Sequence, residues 1–186
     1  MNPKGETMAN HVWTRTQVLS EKVEVHEQLF EWFGDLTGWN EPHIRGTVEP
    51  VFGKYEKYPM DAIGPKWILV EDMDRMDDNE TYITFCSAWS FPDGYMQKFV
   101  ERVVELDEDV KIQFGVEEES DDFLVGGYGS KKGFKWYEDD SPERPWEEEC
   151  EEEGLDYDDE INKFYDEVNE CTDAMIASSE KEVEGA

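Results

Sequence analysis

The order in which two hydrophobic periods alternate along this chain constrains its fold more than any other feature. Residues 12–19 (VWTRTQVL) are rich in β-branched and aromatic side chains and predict a strand. Ser20 can cap the helix that follows, where Val25, Leu29, Trp32, Phe33 and Leu36 recur at helical spacing until Gly34 or Gly38 ends it. Residues 39–65 carry Pro42, Gly46, Pro50, Gly53 and Pro59 and predict a long irregular connection, with a short helix near residues 51–55. Residues 67–70 and 82–89 predict strands joined by the turn-like MDRMDDNE. Pro92 and Asp93 open a second helix, in which Met96, Phe99, Val100, Val103 and Val104 form one apolar stripe. Residues 110–116 alternate as a strand, and residues 123–128 and 134–137, separated by GSKKG, predict a hairpin.

That order is β-α-β-β-α-β plus a hairpin. A split βαβ unit repeated in this way is the ferredoxin-like arrangement, an α+β sandwich of two layers in which both helices cover one face of an antiparallel sheet. A body of about 137 residues suits one such core.

Beyond the body the composition changes. The chain has a net charge of −31 over 186 residues. Residues 138–186 hold 21 Asp and Glu against Arg144, Lys163 and Lys181, whereas residues 1–137 hold 27 acids against 14 bases. The stretch EDDSPERPWEEECEEEG combines two prolines, dense like charge and one apolar anchor, Trp146, and predicts an unstructured acidic linker over 138–157. Ile161, Phe164, Tyr165, Val168, Cys171, Thr172 and Met175 then restore helical periodicity, so an amphipathic helix is expected over 158–177, followed by a disordered end over 178–186.

This charge excludes some partners and favours others. Binding nucleic acid requires Lys and Arg to displace condensed counterions, and the best basic cluster, Lys131, Lys132 and Lys135, is small and set in an acidic background. Direct binding to DNA or RNA is therefore not expected, and a basic protein surface is the natural complement. No apolar run approaches the ~20 residues of a membrane span, and residues 1–10 have no apolar leader core. Cys86, Cys150 and Cys171 are odd in number and lack CxxC spacing, which points to a reducing, cytoplasmic setting.

Several strings, in order, resemble a known family. Met8-Ala9-Asn10-His11 before a strand, Gly64-Pro65-Lys66-Trp67, the run from Phe85 to Pro92 (FCSAWSFP), and Phe114-Gly115-Val116-Glu117-Glu118 with Phe123 and Gly126-Gly127 are similar to the YubB-type ferredoxin-like domain of phage and plasmid accessory proteins. The likeness covers residues 8–137 and leaves residues 1–7 as an extension. Phe91 stands where the family has a proline, and Glu119-Ser120 where it has a glycine. The resemblance implies a fold and a genetic context, not a chemistry.

No catalytic or metal motif emerges from the residues. Asp72-x-Asp74-x-x-Asp77-Asp78-x-Glu80 lacks the glycine and the reach of a calcium loop and reads as a hairpin turn. His11, His26 and His43 are scattered, so neither a metal nor a cofactor is expected. Cys86, between apolar neighbours, reads as a core thiol, and Trp67, Phe85 and Trp89 as core or as a protein-contact patch. Gly126-Gly127-Tyr128-Gly129 marks a bulge or close packing. The expectation is a non-enzymatic accessory protein that binds a basic host protein as a nucleic-acid mimic. The residues expected to carry it are Glu147, Glu148, Glu149, Glu151, Glu152, Glu153, Asp156, Asp158 and Asp159. A structural or assembly module with a solubilising tail, or an enzyme of unassigned activity, are the alternatives.

Overall fold

In a computed structural model, residues 10–36 and 41–186 are described, the side chains of residues 41 and 42 excepted. The extension over residues 1–7, the family-like start at Met8-Ala9 and the helix stop at Gly38 lie outside them. The chain forms an α+β fold with β1 (His11–Leu19), α1 (Val23–Phe33), α2 (Glu41–Phe52), α3 (Met60–Ile63), β2 (Ile68–Asp77), β3 (Glu80–Ala88), α4 (Asp93–Val104), β4 (Lys111–Glu118), β5 (Phe123–Ser130), β6 (Gly133–Asp140), α5 (Glu147–Glu153) and α6 (Tyr157–Gly185). The strands make one antiparallel sheet in the order β2-β3-β1-β4-β5-β6.

Alternation along the strands separates the two faces. On the first, Val12 and Val18 of β1, Ile83 and Phe85 of β3, Ile112, Phe114 and Val116 of β4 and Val125 of β5 are buried beneath Val25, Leu29 and Phe33 of α1 and Tyr95, Met96, Phe99 and Val103 of α4. This core is aromatic: Phe85 meets the rings of Phe33, Tyr95 and Phe99 edge-on or nearly so. Helix α2 extends the layer past β2, where Thr47 Oγ1 accepts the Val70 N–H at 3.0 Å and the Thr47 carbonyl accepts the Tyr95 hydroxyl at 2.9 Å.

Thr14 and Thr16 interrupt this face at the middle of β1. Both are fully buried, and neither hydroxyl has a hydrogen-bond partner among the described residues. A buried unpaired hydroxyl costs ~1 to 3 kcal/mol, and valine matches threonine in shape. Thr14→Val is therefore expected to raise the unfolding free energy by about 1 kcal/mol, read from the urea midpoint. A lower midpoint would show that the hydroxyl is satisfied.

The second face departs from the two-layer expectation. Helix α6 lies along β5, over β4 and β6, and adds a third layer on that half of the sheet. Phe164 and Val168 are buried against Leu124, with Ile161, Cys171 and Met175 packed around them. Close approach is possible because β4 and β5 carry glycines here. A Cβ on Gly126 would lie 2.5 Å from Met175 Cβ, and one on Gly115 would lie 2.7 Å from Thr172 Cγ2. Tyr165, counted among the apolar positions of this helix, is instead 45% exposed.

Four boundaries differ from the sequence reading. The connection over 39–65 contains the twelve-residue α2 in place of a short helix near 51–55; Pro42 falls in its first turn, where backbone donors lack partners anyway, and Pro50 is accommodated inside the helix near its end. Strands β2 and β3 run through the expected turn and close on Asp78-Asn79, where Asp77 Oδ1 accepts the Asn79 N–H at 2.7 Å. β6 runs through residues 138–140, pairing Asp139 with Leu124 and Asp140 with Phe123. Helix α6 continues to Gly185, so residues 178–185 are not a disordered end, and Ser179 and Val183 are buried.

Candidate functional site

The acidic run 147–153 is helical, not extended. Its like charges at i,i+4 disfavour a helix by only a few tenths of a kcal/mol per pair. Local terms outweigh this. Glu147, Glu148 and Glu149 occupy the first turn, where negative charge is favourable, and Gly154 closes the helix in the left-handed conformation at φ 74. Cys150 is the one buried residue of α5. Burial, and then the carboxylates of Glu160, Glu153 and Glu149, push its thiol pKa up. Trp146, expected to anchor the linker, is 62% exposed, whereas Cys150 is buried. Arg144 holds the preceding segment to the β4–β5 turn through Asp121 at 2.9 Å.

Glu147, Glu148, Glu149, Glu151, Glu152 and Glu153 are all exposed. Among the described residues none of the six forms an ion pair. Asp156 plays a local part, because its carboxylate caps α6 and accepts the backbone N–H groups of Asp158 and Asp159 at 3.0 and 3.2 Å. Asp158 and Asp159 are exposed in the first turn of α6. The nine residues thus lie on α5 and on the start of α6 that follows it. Between the two helices is an open hollow of about 530 Å³, lined by Arg144, Trp146, Glu149, Cys150, Glu153 and Glu160.

The other end of α6 is electrically different. Glu180 pairs with Lys111 at 3.3 Å, Glu182 with Lys135 at 3.2 Å and Glu184 with Lys132 at 3.2 Å. Lys131 pairs with Asp109 at 3.0 Å. The basic cluster found in the sequence is therefore engaged within the chain. Sequence reasoning missed this role because the pairs on α6 join residues about fifty to seventy positions apart.

These pairs set a pH dependence. Hydrogen bonds from Tyr137 and Lys135 hold Glu182 below the ordinary carboxylate value, and bonds from Ser130, Tyr128 and Lys132 do the same for Glu184. A carboxylate with a depressed folded pKa stabilises the fold above its unfolded pKa, and that contribution is lost as pH falls through the folded value. Helix α6 is expected to stay docked at neutral pH and to loosen only below the ordinary carboxylate range. In a Lys132→Gln, Lys135→Gln variant, which removes part of that depression, hydrogen exchange of α6 should be faster already at neutral pH and should accelerate less on acidification than in the parent protein. Unchanged exchange at neutral pH would show that these pairs do not hold the helix.

Cys86 is fully buried, and burial, with Glu71 and Glu119 adding, pushes its thiol up to about 12, unsuited to a thiolate nucleophile. Phe85 belongs to the core, Trp67 is half-buried, and Trp89 is 50% exposed at φ 68 with Lys66 Nζ over its ring at 5.2 Å. Arg75 bonds Asp78 at 3.3 Å across the β2–β3 turn, and among the described residues no group of three or more His, Cys, Asp or Glu is arranged to hold a metal. No helix of the described residues is long and apolar enough to cross a membrane.

No protein-family model, curated protein or solved structure matches this chain. Nothing in these comparisons bears on the YubB-type resemblance.

Proposed function

We propose that this chain is a non-enzymatic accessory protein of a phage or other mobile element, acting in the host cytoplasm by docking its acidic corner on a basic host protein. The strand order β2-β3-β1-β4, with α1 and α4 on one face, supports a ferredoxin-like unit as its scaffold. The observation that carries the reading is the division of charge along the C-terminal arm. Residues 147–173 bear fourteen carboxylates and one base, Lys163, while Glu180, Glu182 and Glu184 beyond them are neutralised by lysines of the sheet. Over α5, six carboxylates occupy ~10 Å at the rise of a helix. Duplex DNA presents about six phosphates in the same length. A groove that holds a phosphate backbone would accept this corner, so the partner is a nucleic-acid-binding protein.

The test neutralises charge and leaves the fold intact. Deleting residues 138–186 would strip the second sheet face, whereas replacing the six α5 glutamates by glutamine relieves repulsion within the helix. Immobilised full-length protein is expected to capture nucleic-acid-binding proteins from host lysate at ~0.1 M salt. Capture should fail at ~1 M salt, where the Debye length falls to about 3 Å. Duplex DNA should compete, and the glutamine variant should capture none of them. Capture that survives high salt, competitor and neutralisation alike would overturn the reading.

A further inference from the structure

Helix α6 covers only half of the sheet face on which it lies. Strands are spaced by ~4.8 Å, so β1, β3 and β2 leave a lane about 14 Å wide beside it, and a helix with its side chains is about 10 to 12 Å across. The register fixes the floor of this lane. Trp13 lies beside Cys86 and Leu69, Arg15 beside Thr84, Gln17 beside Tyr82, and Leu19 beside Glu80. Leu69 and Cys86 are buried, Trp13, Leu19 and Thr84 half-buried, and Tyr82 is 40% exposed. The floor is thus largely apolar or neutral, and its cation, Arg15, is paired with Glu117 at 2.6 Å.

The rim is acidic. Asp72 and Asp74 stand opposite Thr84 and Tyr82, so they share the lane's face of the sheet. Both are exposed, and neither forms an ion pair among the described residues. The turn of β2 and β3 does not draw on this part of the acidic motif. A second copy of this chain would bring the same net charge of −31 to the lane and be repelled.

We propose that the lane takes a basic amphipathic helix of the partner protein, laid beside α6. Its apolar stripe rests on Trp13, Leu19 and Tyr82, and its lysines or arginines reach Asp72 and Asp74. This rests on the reading of a basic partner and adds where, and in what form, that partner docks.

Two synthetic peptides of equal positive charge separate the possibilities: an amphipathic lysine–leucine helix and a lysine–glycine–serine coil. With isotope-labelled full-length protein, the helical peptide is expected to move the amide signals of Trp13, Tyr82 and Thr84. Thr84→Arg places a cation on the floor and should weaken that peptide about tenfold, since juxtaposed like charges oppose binding. Asp72→Asn with Asp74→Asn, a surface change that leaves the floor intact, should weaken it as well. The coil should be indifferent to all three substitutions. Shifts confined to α5 and the outer side of α6, or equal affinity of the two peptides, would overturn the lane and leave the acidic corner standing. Binding of neither peptide would overturn both.

Discussion

Replacing Gly126 by valine is expected to lift α6 from the sheet. An added Cβ would lie 2.5 Å from Met175 Cβ, 2.7 Å from the Thr172 carbonyl oxygen and 3.0 Å from the Ile176 nitrogen. Two of these atoms belong to the backbone of α6 and cannot rotate away, so the whole helix must move. Overpacking costs ~1 to 3 kcal/mol, and exposing Phe164 and Val168 adds ~1.5 to 3 kcal/mol for each side chain. Even the smallest of these sums, ~4 kcal/mol, lowers Tm by roughly 8 to 16 °C for a chain of this size. Thermal melting and hydrogen exchange of α6 read the two consequences together. Phe164→Asp with Val168→Asp should reach the same state by placing charge against Leu124. Unaltered Tm and exchange in both variants would mean that α6 does not rest on this face.

Phe85→Ala should be the most damaging single change on the opposite face. The ring is fully buried, with centroids 5.9 Å from Phe33, 5.3 Å from Tyr95 and 5.5 Å from Phe99. It therefore joins α1 and α4 to the centre of the sheet. Truncating a buried phenylalanine costs ~3 to 5 kcal/mol through lost transfer free energy and the cavity left behind. Against a total stability of ~5 to 15 kcal/mol, that is a large fraction. Urea denaturation should show the midpoint falling with little change in slope. A shift of less than ~1 kcal/mol would place the structural centre elsewhere.

The acidic corner was legible where chemistry is local and illegible where it is not. Glu147 to Glu153 could be singled out as a dense run, but repulsion between neighbours argued for an extended segment. In the helix Cys150 is buried and Gly154 closes the end in the left-handed conformation, and neither feature is visible in charge spacing. Trp146 attracts attention by size, yet it is exposed and the small thiol of Cys150 is buried. Similarly, α2 was hidden by Pro42, Gly46 and Pro50, although Ile44, Thr47, Val48 and Val51 follow the helical period.

Sequence alone determined the order of the six strands with α1 and α4 among them, the apolar stripe of α4, the pairing of β5 with β6 and the amphipathic character of the arm. Each follows from periodicity within a single segment. Only the tertiary structure decided that the arm folds back on its own sheet, that residues 178–185 remain helical, and that the acids at its end are neutralised. Those outcomes depend on Leu124, Gly126, Lys111, Lys132 and Lys135 meeting residues far along the chain. A helical period states which side of a segment seeks cover, and what covers it is settled by chain topology.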